Sequence, residues 1–540
     1  MIGALALAWR LIYLALISRT ACLQINMDPM SDMEAFHRWA LQLVAGDWLD
    51  RAHFHPFHPW QQMVADRAQW ESWYGAIFHQ EPLYPYALGL LYLLAPGEPA
   101  SMIVMQLILG AAGCGLIYLA ARRIAPEAAA RWAGVLAALY GPHLYYESLL
   151  LRDALLIPIH AAMLWAVLEA RDRIDSPRAR WWHAAAGGLC GLSFIAKASV
   201  LPFFVLYLGW MPLTLRRKKA VWLAPALCML AGFLAPLAPV VLRNAAVGAP
   251  LLSITTRGPI EFINGNHLGY RGTGWFDGEP EVGLYAREIL ADSGGKLLPT
   301  IAAVTRDGLR QPWEFALLQL RKAAYLVAPF EMPNNASFGY FRHNSLLLRY
   351  GALSFFTISP LALLGLLVSL KTPARFVPLY LFLGAGAVVT IAFYVIARFR
   401  APLMPGVLIL AGLGIYALID LARRRALGGL GLAAGVVLVA LGGNAAANIS
   451  DELLIRPQDH LIAIAEYRAR GEHDRALREA LEGWKRFGRI AAFPRHAADL
   501  YLVQGSRPAA LEAYRATLRL NPSDAEARRL AGQLETGSHP

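Results

Sequence analysis

Apolar runs recur along the chain, each about 17 to 25 residues long, the length that crosses a bilayer core as a helix. About eleven of them are predicted as membrane helices, near residues 2–18, 101–121, 132–150, 153–170, 182–197, 199–214, 220–242, 346–370, 376–396, 402–421 and 427–447. Lys197 interrupts one long apolar stretch, which is read here as two spans joined by a turn. A single helix there would move everything after it to the other face of the membrane. Two long polar stretches separate the runs, about 20–100 and 243–345, and after about Ser450 the pattern becomes charged, alanine-rich and helical. The expected fold class is therefore an all-α polytopic membrane protein. It has a membrane domain over 1–449 and a small helical-repeat domain over 450–540.

Composition supports the membrane reading. Of 540 residues 57% are hydrophobic and 16% charged, too apolar for an ordinary soluble enzyme. The net charge of +12 would suggest a nucleic-acid partner in a soluble chain. Here the basic residues fall mostly between the apolar runs, so their meaning is topological and no nucleic acid is expected. Arg122, Arg123 and Arg131 share one short connection and Arg171, Arg173, Arg178 and Arg180 another. Arg216 to Lys219, Lys371 with Arg375, and Arg423 to Arg425 mark three more. With eleven spans, all five connections lie on one face, which the positive-inside rule makes cytoplasmic. The long loops and the C-terminal helices are then extracytoplasmic, on a multi-pass protein of the cytoplasmic membrane. The first run carries Arg10 and no clear cleavage site before Asp28, and is expected to remain as an anchor. The four cysteines lie in or beside apolar runs without metal-like spacing.

In the C-terminal region Gly471 and Gly505 are 34 positions apart, each followed five residues later by alanine, Ala476 and Ala510. Tyr514 and Pro522 follow in the second unit. That period and order resemble a tetratricopeptide repeat, in which the glycine lets two helices turn closely. About two units fit, fewer than the three usually needed for independent stability, so the array is expected to lean on the membrane domain.

Chemistry-bearing residues concentrate after the first run. Asp28, Asp32 and Glu34 precede a helical repeat of Phe36, Trp39, Ala40, Leu43 and Val44 that ends at Gly46. The bland role for Asp32 is to cap that helix. An aromatic loop and Glu81-Pro82-Leu83-Tyr84-Pro85 come next. The second long loop begins at Arg243-Asn244 and contains I-E-F-I-N-G-N-H-L-G-Y-R-G-T-G-W, whose glycines and asparagines suit turns better than regular helix. His53, His55 and His58 could in principle bind zinc, but the intervening prolines and the lack of a fourth ligand favour an interfacial aromatic loop. No metal and no cofactor are expected.

Taken in order, Asp32 with Phe36, Gly46-Asp47-Trp48, Pro82-Leu83-Tyr84-Pro85, Arg243-Asn244, Gly265-Asn266 and Ala397-Arg398-Phe399-Arg400-Ala401-Pro402 resemble the membrane glycosyltransferases of the C type. The match is best to family 39, which includes protein mannosyltransferases and aminoarabinose transferases. The resemblance implies inverting transfer of a sugar from a polyprenyl-phosphate donor to a lipid, glycan or protein acceptor at the external face. It also implies Asp32 as the catalytic carboxylate, with Asp28 and Glu34 the alternatives within reach; Asp28, which precedes a proline and lacks the aromatic at the family's spacing, ranks second. The chemistry agrees: an attacking hydroxyl needs a base, and a phosphate leaving group needs no acid, only positive charge against it.

Arg243 is the first candidate for that charge, the alternative being an interfacial anchor. Lys197, Arg398 and Arg400 follow, because cations at the external ends of spans ask for anionic partners, either phosphate or acids such as Glu147 and Asp153. Glu147, Arg152 and Asp153 could equally form a local salt-bridge cluster. Tyr84 and Asn266 sit in the matching motifs. The chain departs from the aminoarabinose transferase pattern at His79-Gln80-Glu81, where that enzyme carries a lysine; His79 could replace that cation only if protonated, the alternative being a neutral hydrogen-bonding role. Two rival readings use other chemistry: a flippase for a lipid-linked sugar, or an assembly scaffold acting on a protein partner through its repeats. The chain shows no repeated halves of the transporter kind, and a scaffold leaves Asp32 without a role.

Overall fold

A computed structural model describes residues 1–95, 97–173, 176, 178–215, 222–269, 280–393 and 395–536. Helix dominates, and the described residues contain a single isolated β-bridge, between Tyr140 and Leu353. All eleven predicted windows carry helix. Among the described residues six helices are long and apolar enough to cross a membrane: Pro99–Ile124, Asp153–Asp172, Leu223–Val247, Pro373–Ala392, Ala397–Arg423 and Leu427–Ala447. Ile2–Ile17, Ala198–Leu213 and Phe355–Ser369 are shorter apolar helices. The protein is a multi-pass membrane protein.

Two windows show the largest breaks. The expected 132–150 span breaks at Tyr140 into Glu127–Leu139 and Gly141–Glu147, because Tyr140 is extended, bridges to Leu353 and precedes Pro142. The 346–370 span opens with a π-helical turn, Leu347–Gly351, before the helix Phe355–Ser369. Lys197 itself is extended (φ −164°, ψ 120°), so the stretch around it is two helices, Ala179–Ala196 and Leu201–Leu215. Helices pair through glycine-lined contacts. A Cβ at Gly187 would lie 1.9 Å from the Met229 carbonyl oxygen, and one at Gly365 would lie 1.8 Å from that of Leu410.

Both long loops are more helical than their composition suggests. The first contains the apolar helix Leu83–Tyr92. In the second, the stretch predicted as turns forms the helix Arg257–Asn266 as far as it is described. Its Ile260 and Ile263 are fully buried against the helices that follow, and that burial overrides the weak propensity of Gly265 and the asparagines. Tyr270 to Trp275 lie outside the described residues, as do Arg216 to Lys219.

Opposite ends of the bundle differ in charge. Arg123 pairs with Glu169, and Arg171 donates to the Arg375 carbonyl, so three of the basic connections meet at one end. The helix Asp153–Asp172 begins at the other end, next to Arg152, and the helix ending at Arg423 starts there beside Arg398. Beyond Asn448, the helices Pro457–Ala469, His473–Arg486, Ala492–Val503, Arg507–Leu520 and Ala525–Glu535 pack each on the next. Gly471 and Gly505 form the turns within the first two pairs, with φ +73° and +76°, backbone that a Cβ would strain. Ala476 and Ala510 are fully buried between the helices. The array rests on the membrane domain at the Asp32 end: the Ala21 amide donates to Tyr467 Oη, and Arg475 donates to the Arg19 carbonyl.

Glu147 does not join Arg152 and Asp153. It forms a bidentate pair with Arg10 of the first helix, both N···O distances 2.7 Å and both side chains wholly buried. Arg152 pairs instead with Glu81. A Cβ at Gly110 would stand 2.1 Å from Glu147 Oε1, so the glycine makes room for the pair. Glu147→Ala, which strands a buried guanidinium, is expected to cost about 3–5 kcal/mol. Gly110→Ala should destabilise as well, and Arg10→Met with Glu147→Leu should recover much of the loss; thermal melting in detergent reads all three.

Candidate active site

Asp32 is the first residue of the helix Asp32–Val44, but it is not the cap. Ser31 holds that place, its Oγ accepting the Glu34 amide. The Asp32 carboxylate is thereby left to turn outward from the helix start, where three side chains donate to it. Gln80 Nε2 reaches Oδ1 at 2.8 Å; Asn335 Nδ2 and Arg398 Nη1 both reach Oδ2 at 2.8 Å. These donors come from the first loop, the second loop and the start of a membrane helix, so the carboxylate joins three parts of the chain. Burial raises its proton affinity, but Arg398, Arg257 and Arg152 together with the Asn335 hydrogen bond outweigh it. They hold the carboxyl well below the usual carboxylate range.

Around Asp32 lies a set of charges that balance. Arg152 pairs with Glu81, and Arg257 lies 3.5 Å from Glu261. Asp153 starts the helix Asp153–Asp172; both its carboxylate oxygens are buried and, among the described residues, make no hydrogen bond. It is within electrostatic reach of Arg152, Lys197 and Arg398. Among the described residues Lys197 makes no ion pair; its ammonium sits 3.2 Å from the centre of the Phe399 ring. His79 is buried beside His55, and burial with the nearby His55 and Arg257 holds its imidazole well below the ordinary histidine value, hence neutral.

Other candidates are engaged elsewhere. Tyr84 donates to Gln106 Oε1 and packs on Phe36. Arg243 donates to the carbonyls of Leu49, Ala76 and Asp50 and covers the Phe78 ring, 3.9 Å from its centre. Arg400 donates to the carbonyls of Ala328 and Phe330 and to Glu331 Oε1 at 2.6 Å, so its anionic partner is Glu331, not Glu147 or Asp153. Asn266 donates to the Ala392 and Phe393 carbonyls and accepts from Lys322 Nζ at 2.9 Å, fastening its helix to two others. Among the described residues no cluster of three histidines, cysteines or acids is arranged to hold a metal; His55 instead accepts from Trp70 Nε1.

Asn335 and Arg257 carry no periodicity or motif that singles them out in sequence, whereas Gln80 lies inside the His79-Gln80-Glu81 departure and Glu261 inside the glycine- and asparagine-rich stretch of the second loop.

Fold and site together define a helical, multi-pass membrane protein with a charge-balanced carboxylate site at one end of the bundle. A family model described as dolichyl-phosphate-mannose-protein mannosyltransferase matches residues 79–242. No protein of curated function matches the chain. Among solved structures, the chain is similar to the apo oligosaccharyltransferase of Archaeoglobus fulgidus at 16% identity and a TM-score of 0.44, covering 85% of this chain and 56% of that one. The oligosaccharyltransferase AglB of the same organism, in complex with an inhibitory peptide and a dolichol-phosphate, gives 14%, 0.42, 84% and 55%. ArnT from Cupriavidus metallidurans bound to undecaprenyl phosphate gives 14%, 0.41, 98% and 78%. The chain thus spans about half the length of the archaeal enzyme.

The Arg243 contacts yield a stability prediction. Arg243→Ala leaves three buried carbonyls short of a donor, expected to cost about 1–3 kcal/mol without any substrate present. Burial pushes the Asp50 carboxyl beside it up to about 6. A raised value means that stability is fullest below the ordinary carboxylate range and lost as pH rises through about 6. The variant removes the counter-charge, so the melting difference from wild type should widen between about pH 4 and pH 8.

Proposed function

We propose that this protein is an inverting glycosyltransferase of the C type that uses a polyprenyl-phosphate sugar. The observation that carries the reading is the Asp32 carboxylate, kept ionised by Arg398, Asn335 and Gln80 amid the cations Arg152, Lys197 and Arg257. The family-model match over 79–242 supports it, since that stretch contains Gln80, Glu81, Arg152, Asp153 and Lys197. The acceptor oxygen attacks the anomeric carbon while its proton passes to Asp32. The carbon–oxygen bond to phosphate breaks, and its electron pair leaves with the polyprenyl phosphate. Arg398 and Lys197 receive the phosphate charge; Arg243 and Arg400, already donating to carbonyls, shape the loops around it.

At rest Asp32 is a weak base, because Arg398 stabilises its anion. A donor phosphate competes for the same guanidinium, and the carboxylate regains basicity as Arg398 turns to the phosphate. Donor binding thus prepares the base. Three basic connections meet at the far end of the bundle, which supports an extracytoplasmic position for the Asp32 end and the C-terminal helices.

Asp32→Asn is expected to lower turnover about a hundredfold or more with only a modest change in melting. The assay is release of polyprenyl phosphate from a panel of polyprenyl-phosphate sugars with candidate acceptors, and wild-type turnover in the variant overturns the assignment. A depressed carboxyl keeps its ionised form until the pH falls well below the ordinary value near 4. The acid limb of kcat/KM should accordingly lie below about pH 4 and move up toward it in Arg398→Ala.

A further inference from the structure

Arg456 stands at the junction between the last membrane helix and the C-terminal array, just before the helix Pro457–Ala469. Its Nη2 donates to Asp28 Oδ2 at 2.8 Å and lies 3.1 Å from Asp459 Oδ1, while Nη1 donates to the Asn334 carbonyl at 2.6 Å. Its own amide donates to Ser337 Oγ at 2.9 Å. One guanidinium therefore grips both segments that flank the Asp32 carboxylate.

Each grip leads to Asp32 in two steps. On the first-loop side, the other Asp28 oxygen accepts the Met30 amide, and the Asp28 carbonyl accepts both the amide and the hydroxyl of Ser31. Ser31 in turn caps the helix that begins with Asp32. On the second-loop side, Asn334 is the neighbour of Asn335, whose amide donates to Asp32 Oδ2. The pair with Asp28 is nearly dry, the side chains of Arg456 and Asp28 being 17% and 7% exposed. A charged contact so shielded fixes geometry in a way that an open surface pair does not.

We propose that Arg456 is a positioning residue for the Asp32 site, so that the C-terminal helical array completes the catalytic mouth instead of hanging beside it. The inference rests on the reading of Asp32 given above. Without Arg456 the Asp28 turn and the 334–335 segment are free to part, and Asp32 loses the donor that aims it. Small misplacements are costly in such sites: a 1 Å displacement can cost about 10²-fold in rate.

The full-length protein tests this by turnover and by hydrogen exchange. Arg456→Ala is expected to lower kcat about tenfold or more with the donor KM changed less than about threefold, and to speed exchange in 27–34 and 332–338. Arg456→Lys, which keeps the charge toward Asp28 but lacks the fork that reaches Asn334, should restore part of kcat. Asp28→Asn combined with Arg456→Ala should be no worse than Arg456→Ala alone, because both remove one contact. Wild-type turnover in Arg456→Ala, or additive losses in the double variant, overturns the proposal. Should Arg456→Ala fold poorly, the lysine variant carries the same comparison. Asp32→Asn at wild-type rate would instead defeat the catalytic reading, and the exchange of 27–34 and 332–338 still decides whether Arg456 holds those segments.

Discussion

A carboxylate stays ionised at the end of an apolar bundle only when cations and hydrogen-bond donors replace the water it gives up. The contact between Asp32 and Arg398 supplies the largest part of that replacement, and the architecture serves it. Asp32 arrives on a short helix after the first apolar segment, and Arg398 at the start of a late one, 366 residues further on. Gln80 and Asn335 come from the two long loops. No local segment could build the site, so the bundle must be assembled before the carboxylate finds its partners.

The surrounding charges follow the same rule at a distance. Glu81, Asp153 and Glu261 offset Arg152, Lys197 and Arg257, and a site so balanced resists collapse while keeping cations in reserve. In the proposed reaction the singly charged phosphodiester of the donor would bind by exchanging partners, at less cost than it would meet in an apolar pocket. The arginines outside this set act as rivets. Arg243 and Arg400 spend their forks on carbonyl oxygens of irregular backbone, which a buried loop would otherwise leave unmet.

Legibility in sequence followed the range of the physical signal. Apolar length located helix in every expected window, and charge forced the break at Lys197, because both are local or additive properties. Asp32 stood out for a similar reason, as an acid where apolar chain meets water. Pairings were not legible. Glu147 lies five residues from Arg152 in sequence, yet its partner is Arg10 of the first helix, 137 residues away. The helix Arg257–Asn266 was missed because its glycine and asparagines argue against helix locally, while the burial that stabilises it comes from residues far along the chain. Arg456 lay at a boundary between two composition classes, where no periodic pattern assigns a partner.

The Arg10, Glu147 and Gly110 arrangement bears on how sequences of this architecture can drift. Any side chain at 110 collides with the Glu147 carboxylate, and Glu147 cannot shorten while Arg10 stays charged in the dry interior. A substitution at any one of the three positions disturbs the other two, so they are expected to be inherited as a block. A lineage leaves that block only by losing both charges at nearly the same time. The triplet should therefore divide descendants into two discrete groups, one carrying the ion pair with glycine and one wholly apolar, with few intermediates between them.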